Sequence, residues 1–217
     1  MTPDIRRPII INFKKLLGRA AIELAQKLNE VEERLLDRYD IILAVQAPDI
    51  LEVCRCCKFK VFVQDTFSHP DHLFLNYLKG RGRIHPRLAG IILNHPEIKL
   101  PNYLLLENIK RAEELDIQQV ICATTIEEAL EMDKLSPHYI GLENEDLIGK
   151  DISFTDYCPE VLQIAKERVS SLILIGAGIK SVRDVRGVID SGGAGVLISS
   201  LIIRSADPVN ALNNLLY

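Results

Sequence analysis

Lys14, His95 and Glu143 are the residues whose types best suit chemistry done together. Each stands at the end of a short apolar run. A carboxylate, an imidazole and an ammonium converging on one pocket suit proton shuffling beside a carbonyl. The carboxylate removes a proton from the carbon next to it. The imidazole polarises the carbonyl and moves protons between oxygens, and the ammonium stabilises enediolate and phosphate charge. Alone, each has an ordinary reading: a solvated lysine, a capping or core histidine, a surface glutamate in the acidic run Glu143-Asn144-Glu145-Asp146. Joint placement on one face is what lifts the functional reading. Gly176-Ala177-Gly178-Ile179 and, further on, Ser199-Ser200 form a second signal. Such small residues let backbone N–H groups approach an anion, although glycines can equally serve only a tight turn.

The elements that must position these residues are legible as eight short β-rich runs alternating with helical patterns. The runs are Ile9–Ile11, Asp40–Val45, Lys60–Gln64, Gly90–Asn94, Gln119–Ala123, Tyr139–Glu143, Ser171–Gly176 and Gly195–Ile198. They are continuous rather than alternating in hydrophobicity, as parallel strands buried on both faces read. A long amphipathic stretch runs from Gly18 to about Arg38. Asp49 is placed to cap the helix after the second run, and Thr125 with Glu128 makes a capping-box pattern after the fifth. Eight β-then-α units predict an α/β fold, a closed (β/α)8 TIM barrel, with residues 1–217 as a single trimmed domain. An open doubly wound sheet would show a glycine-rich first turn, where this chain has Asn12-Phe13-Lys14-Lys15. Barrel chemistry sits where strands end, at the C-terminal face. The polar residues after each run are therefore the candidates: Asn12 and Lys14, Gln46, Gln64 and Asp65, Asn94 and His95, Thr124, Glu143, Gly176 to Gly178, Ser199 and Ser200.

Composition narrows the function classes. At 47% hydrophobic and 26% charged residues, the chain reads as an ordinary globular domain rather than a disordered one. Aromatics are 6% and tryptophan is absent, so aliphatic side chains must fill the core. The net charge of −4 argues against a general nucleic-acid binder. No apolar run approaches the ~18 residues of a membrane span, and Ile9-Ile10-Ile11 is too short for a signal peptide, so a cytoplasmic location is expected. Cys54 and Cys57 formally make a C-x-x-C with Cys56 between them. No second pair stands at a supporting spacing, so the three read as reduced thiols on or beside one helix, and no metal is expected. Cys122 and Cys158 read as reduced structural residues.

At these residues the sequence resembles triosephosphate isomerase, and specifically the short archaeal type, from about Ile9 to Pro208. Ile11-Asn12-Phe13-Lys14 is similar to the strand-one motif with the family's asparagine and lysine. Leu93-Asn94-His95-Pro96-Glu97 is similar to the strand-four motif, with histidine as electrophile and a glutamate behind it. Leu135–Glu143, continuing to Leu147-Ile148-Gly149, resembles strand six, where the glutamate is the base and a lid loop follows. Gly176–Ile179 and Gly195–Ser200 are similar to the phosphate site. The resemblance implies Lys14, His95 and Glu143 as catalytic residues, and Asn12, Lys14, Gly149, Gly178, Ser199 and Ser200 as substrate-binding ones. It implies interconversion of dihydroxyacetone phosphate and D-glyceraldehyde 3-phosphate in glycolysis and gluconeogenesis. A triose phosphate is then the small-molecule partner. The family uses no metal or organic cofactor, and a homo-oligomer (dimer or tetramer) is expected. A neutral histidine and a glutamate base are the acid–base pair described for this family.

The chain departs from the family pattern in places. Asn144-Glu145 stand where prolines usually follow the glutamate, and Lys150-Asp151 replace a Thr-Gly at the lid's far end. His69-Pro70-Asp71-His72 replaces a His-Thr-Gly-His element, Leu201 replaces a glycine, and residues 79–87 are unusually basic. Two other readings compete: a phosphate-binding barrel acting on a different sugar phosphate, and a degraded, non-catalytic barrel.

Overall fold

A computed structural model describes residues 6–64, 85–144 and 159–217. Eight parallel strands close into one barrel in the order β1-β2-β3-β4-β5-β6-β7-β8. They are β1 (Arg7–Asn12), β2 (Tyr39–Val45), β3 (Lys60–Gln64), β4 (Leu88–Leu93), β5 (Gln118–Ala123), β6 (Tyr139–Leu142), β7 (Leu172–Ile175) and β8 (Gly195–Ile198). Closure is made by β1 and β8, with Ile9 opposite Val196 and Ile11 opposite Ile198. The expected runs therefore became the strands, with ends moved by one or two residues.

Burial on both faces explains the continuous apolar runs. Ile10, Ile42, Phe62, Ile92, Val120, Cys122, Leu174 and Leu197 pack together inside the barrel. Their chain neighbours, such as Ile9, Ile11, Leu43, Val63 and Ile121, face the helices in a second, larger cluster. The interior is filled by matching large residues to small ones. A Cβ on Gly90 would lie 2.5 Å from the Phe62 ring, so only glycine admits that phenylalanine.

Period-two geometry then decides what lines the mouth. Two residues beyond Ile10, Ala44, Phe62, Ile92, Cys122, Gly141, Leu174 and Leu197 come Asn12, Gln46, Gln64, Asn94, Thr124, Glu143, Gly176 and Ser199. The rung above the apolar interior is thus the polar ring that the sequence singles out.

Three local expectations are corrected. The Gly18–Arg38 stretch is two helices, Arg19–Leu28 and Glu33–Leu36. Asn29 breaks it, because its side chain donates to the Cys56 carbonyl and accepts from the Lys58 amide. Asp49 does not cap its helix with its side chain; that carboxylate accepts from the Gly18 amide at 2.8 Å. In the capping-box pattern, Thr125 does accept from the Glu128 amide. Glu128, however, reaches the Thr124 amide and hydroxyl instead of closing the box. Among the described residues no helix is long and apolar enough to cross a membrane, and no cluster of potential ligands could hold a metal ion. Cys54, Cys56 and Cys57 are free thiols, with Cys54 pushed up to about 12 and Cys57 to about 11 by burial.

Candidate active site

The strand-one end is held in an unusual conformation. Lys14 has φ 50°, in the left-handed region that costs a side-chain-bearing residue of order 1–2 kcal/mol. Three mouth side chains fix it there. The Lys14 amide donates to Asn12 Oδ1 at 2.8 Å and to Gln64 Oε1 at 3.0 Å. Gln46 Nε2 donates to the Lys14 carbonyl at 2.5 Å. The strain and its clamps set the direction of one ammonium, which is the mark of a positioned rather than a solvated lysine. That ammonium meets Glu97 Oε1 at 2.8 Å. Burial pushes the Glu97 carboxyl up, but the bond and charge of Lys14 outweigh it and leave it below its ordinary value.

Asn94 plays the same part at the end of β4. It also adopts a left-handed φ, 56°, which asparagine tolerates better than most residues. Its Nδ2 donates to the Cys122 carbonyl and to Glu128 Oε1, while its Oδ1 accepts from the Leu100 amide. The loop from Asn94 to Leu100 is thereby pinned across the mouth, and His95 is set at its start.

His95 is buried, and its Nδ1 accepts from the Glu97 amide at 3.2 Å. That bond leaves the proton of the neutral ring on Nε2. Burial first, and the Lys14 charge second, lower the imidazole to about 4. His95 is therefore neutral at pH 7 and presents an N–H donor. Nε2 lies 3.4 Å from Glu143 Oε1, close but without hydrogen-bond alignment, so among the described residues it has no hydrogen-bond partner.

Glu143 follows β6 and is buried. Burial raises its carboxyl to about 7, partly opposed by a hydrogen bond from Cys122 and by the Lys14 charge. Cys122 is fully enclosed, and burial followed by the Glu143 charge raises its thiol well above the ordinary value. The carboxylate's stem lies against β7: a Cβ on Gly176 would sit 2.3 Å from Glu143 Cγ and 2.8 Å from Cδ. Gly176 is thus required by the base and not only by a turn.

At the far side, Gly178 has φ 74° and Ser199 stands before the short helix Ser200–Ile203. The Ser199 hydroxyl oxygen is buried without a partner among the described residues. Asn12, Lys14, His95, Glu143, Gly178, Ser199 and Ser200 thus all stand at or just beyond the C-terminal ends of their strands, on one face of the barrel. Asn12 spends its oxygen on the Lys14 amide. Gly149, Glu145, Lys150, Asp151, Asp65, Cys158, the 69–72 element and residues 79–84 lie outside the described residues. The sequence names Gln46 and Gln64 only as strand-end candidates without a role, and it gives Glu128 and Cys122 no part in the site.

No family model matches the chain. It is 30% identical to a triosephosphate isomerase from Methanosarcina acetivorans over 96% of each chain. It is 32% identical to one from Pyrobaculum arsenaticum over 92% of each. The match to one from Thermoplasma volcanium is 28% over 96% of this chain and 98% of the other. Among solved structures, the α-subunit of tryptophan synthase from Pyrococcus furiosus superposes with TM-score 0.67 at 16% identity, covering 97% of both chains. Thiamine phosphate pyrophosphorylase from the same organism gives 0.62 at 17%, covering 96% of this chain and 93% of that one. These likenesses are of fold alone.

Proposed function

The chain belongs to the triosephosphate isomerase family, and on that premise we propose that it interconverts dihydroxyacetone phosphate and D-glyceraldehyde 3-phosphate through an enediolate. The observation that carries the reading is the pairing of a neutral imidazole donor with a carboxylate poised near pH 7, their reactive atoms 3.4 Å apart. Glu143 takes the proton from the carbon beside the carbonyl. His95 Nε2–H donates to the carbonyl oxygen as charge develops there, then passes protons between the two oxygens of the enediolate. Glu143 returns its proton to the neighbouring carbon. No atom is gained or lost, so the acid and base both end as they began.

Lys14 faces the negative charge of the enediolate and the phosphate, with Glu97 holding its ammonium in place. The phosphate group belongs at Gly178, Ser199 and Ser200, where backbone amides and the buried Ser199 hydroxyl, without a partner among the described residues, meet an anion. Gly149 is assigned to the same phosphate by the family motif. The reaction asks for no metal or organic cofactor, since the proton transfers need only these side chains.

The test is direct. Purified protein supplied with dihydroxyacetone phosphate should form glyceraldehyde 3-phosphate, read by a coupled dehydrogenase assay. In heavy water the substrate should pick up deuterium on the carbon that Glu143 serves. A folded protein that neither isomerises nor exchanges would instead be a barrel for a different sugar phosphate or a non-catalytic one.

A further inference from the structure

At the opposite, N-terminal mouth of the barrel lies an open cavity of about 800 Å³, within the size range of small-molecule sites. Among the described residues, Arg6, Arg7, Arg38 and Lys166 line it, against one carboxylate, Asp37. Four cations to one anion among those residues is a local reversal in a chain whose net charge is −4. Among the described residues, none of the four cations forms an ion pair with Asp37 or any other carboxylate. Arg6 donates only to the Leu36 carbonyl, and Arg38 lies over the Tyr39 ring.

The fold brings these charges together rather than scattering them. The Arg7 amide donates to the Arg38 carbonyl at 3.0 Å, so the two arginines enter adjacent strands β1 and β2 side by side. On the other flank, β8 follows the Gly192–Ala194 turn and runs close under β1. A Cβ on Gly195 would meet the Pro8 carbonyl at 2.0 Å. Gly192, at φ 85°, leaves room for the Lys166 ammonium, which lies 2.0 Å from where a Cβ would be. Lys166 is therefore laid along the cavity wall from the side opposite the arginines. The rest of the wall includes Tyr139 and Leu172, the latter an exposed leucine at the rim.

We propose that this N-terminal mouth is a second ligand site, and that it binds a small polyphosphate, a molecule with two or more adjacent phosphate groups. Planar guanidinium groups suit paired phosphate oxygens, and an ammonium serves as a point charge for a further one. A single phosphate would engage one flank, whereas a chain of phosphates spans from Arg7 and Arg38 to Lys166. The site is separate from the candidate active site by the length of the barrel, and the inference does not depend on the isomerase reading.

The experiment is titration calorimetry with inorganic tripolyphosphate at low salt, where the charges are least screened. It compares wild type, the double variant Arg7→Gln/Lys166→Gln, and Lys14→Ala at the other face. Arg7 and Lys166 are both exposed, so the double variant should fold, and its isomerase rate should equal that of wild type. Saturable binding is expected in wild type and in Lys14→Ala, weakened about tenfold or more in the double variant, as loss of charge-assisted contacts requires. Tripolyphosphate should also raise the melting temperature of wild type more than that of the double variant. Adenosine triphosphate in place of tripolyphosphate separates an organic from an inorganic source. Tighter binding would seat the base against Tyr139 and Leu172, and equal binding would leave the phosphates as the whole ligand. The proposal is overturned by unsaturable binding in wild type, by equal binding in the double variant, or by loss of binding in Lys14→Ala. Equal or tighter binding of a single-stranded RNA through the same residues would also overturn it in favour of a nucleic-acid surface.

Discussion

Replacing Gly176 by alanine adds one methyl group where Glu143 now lies. The backbone tolerates the change, since Gly176 is not among the positive-φ residues. The side chain does not: the new Cβ would be 2.3 Å from Glu143 Cγ, where carbon atoms prefer roughly 3.5–4.0 Å. Cγ must therefore retreat by more than about 1 Å, and the carboxylate with it, because overlap of that size is not absorbed in place. Misplacing a catalytic group by about 1 Å costs on the order of 10²-fold in rate, or roughly 2.7 kcal/mol in the barrier. The displaced carboxylate also leaves the enclosure that raises it to about 7, so its pKa should fall toward the ordinary carboxylate value. Steady-state kinetics of Gly176→Ala across pH, beside circular dichroism and thermal melting, read all three effects. The expected result is a folded protein with kcat down about 10²-fold and its acid limb moved to lower pH. A kcat within about threefold of wild type with an unmoved acid limb would refute the idea that Gly176 exists to seat the base.

Further outcomes follow from the same geometry. In wild type, kcat/KM should rise with pH through about 7 as Glu143 ionises; Cys122→Ala, which removes a hydrogen bond that favours the ionised form, should move that limb upward, while Cys122→Ser should not, and an unmoved limb in the alanine variant would count against the bond. Glu143→Gln should lose about 10²-fold or more in kcat, and near-normal turnover would sink its role as base. Its stability relative to wild type should also change with pH: the native Glu143 pKa is raised from 4.5 to about 7, so wild type loses stability between those values as pH rises. The variant should gain about 3 kcal/mol on wild type from pH 4 to pH 8, read by denaturant unfolding, and a pH-independent difference would contradict the shift. Asn94→Ala should cost roughly 2–4 kcal/mol, from three lost hydrogen bonds and a left-handed residue that alanine tolerates poorly; a loss under about 1 kcal/mol would mean the loop before Leu100 is held by other contacts.

What was legible in the sequence and what was not divides along a physical line. Strand existence follows from burial on both faces, which writes itself into consecutive residues such as Ile9-Ile10-Ile11 and Ile41-Ile42-Leu43. The positions of Lys14, His95 and Glu143 follow from the ends of those runs. Long-range partners leave no such local trace. Asp49 and Glu128 both carry the chemistry of a helix cap, yet each spends its oxygens elsewhere: Asp49 on Gly18, Glu128 on Thr124, Asn94 and Lys99. Asn29 stops a helix through residues 27 and 29 positions away, so periodicity alone extends that helix too far. The site shows why these diversions matter. Lys14 and Asn94 occupy left-handed backbone that local propensity opposes, and each is held there by hydrogen bonds to neighbouring strands or the helix beyond. A closed barrel supplies those neighbours on both sides of every strand end. It can hold two strained positions at once, aim an ammonium from one and set the imidazole that follows the other, and enclose the carboxylate beside His95 deeply enough to raise its pKa.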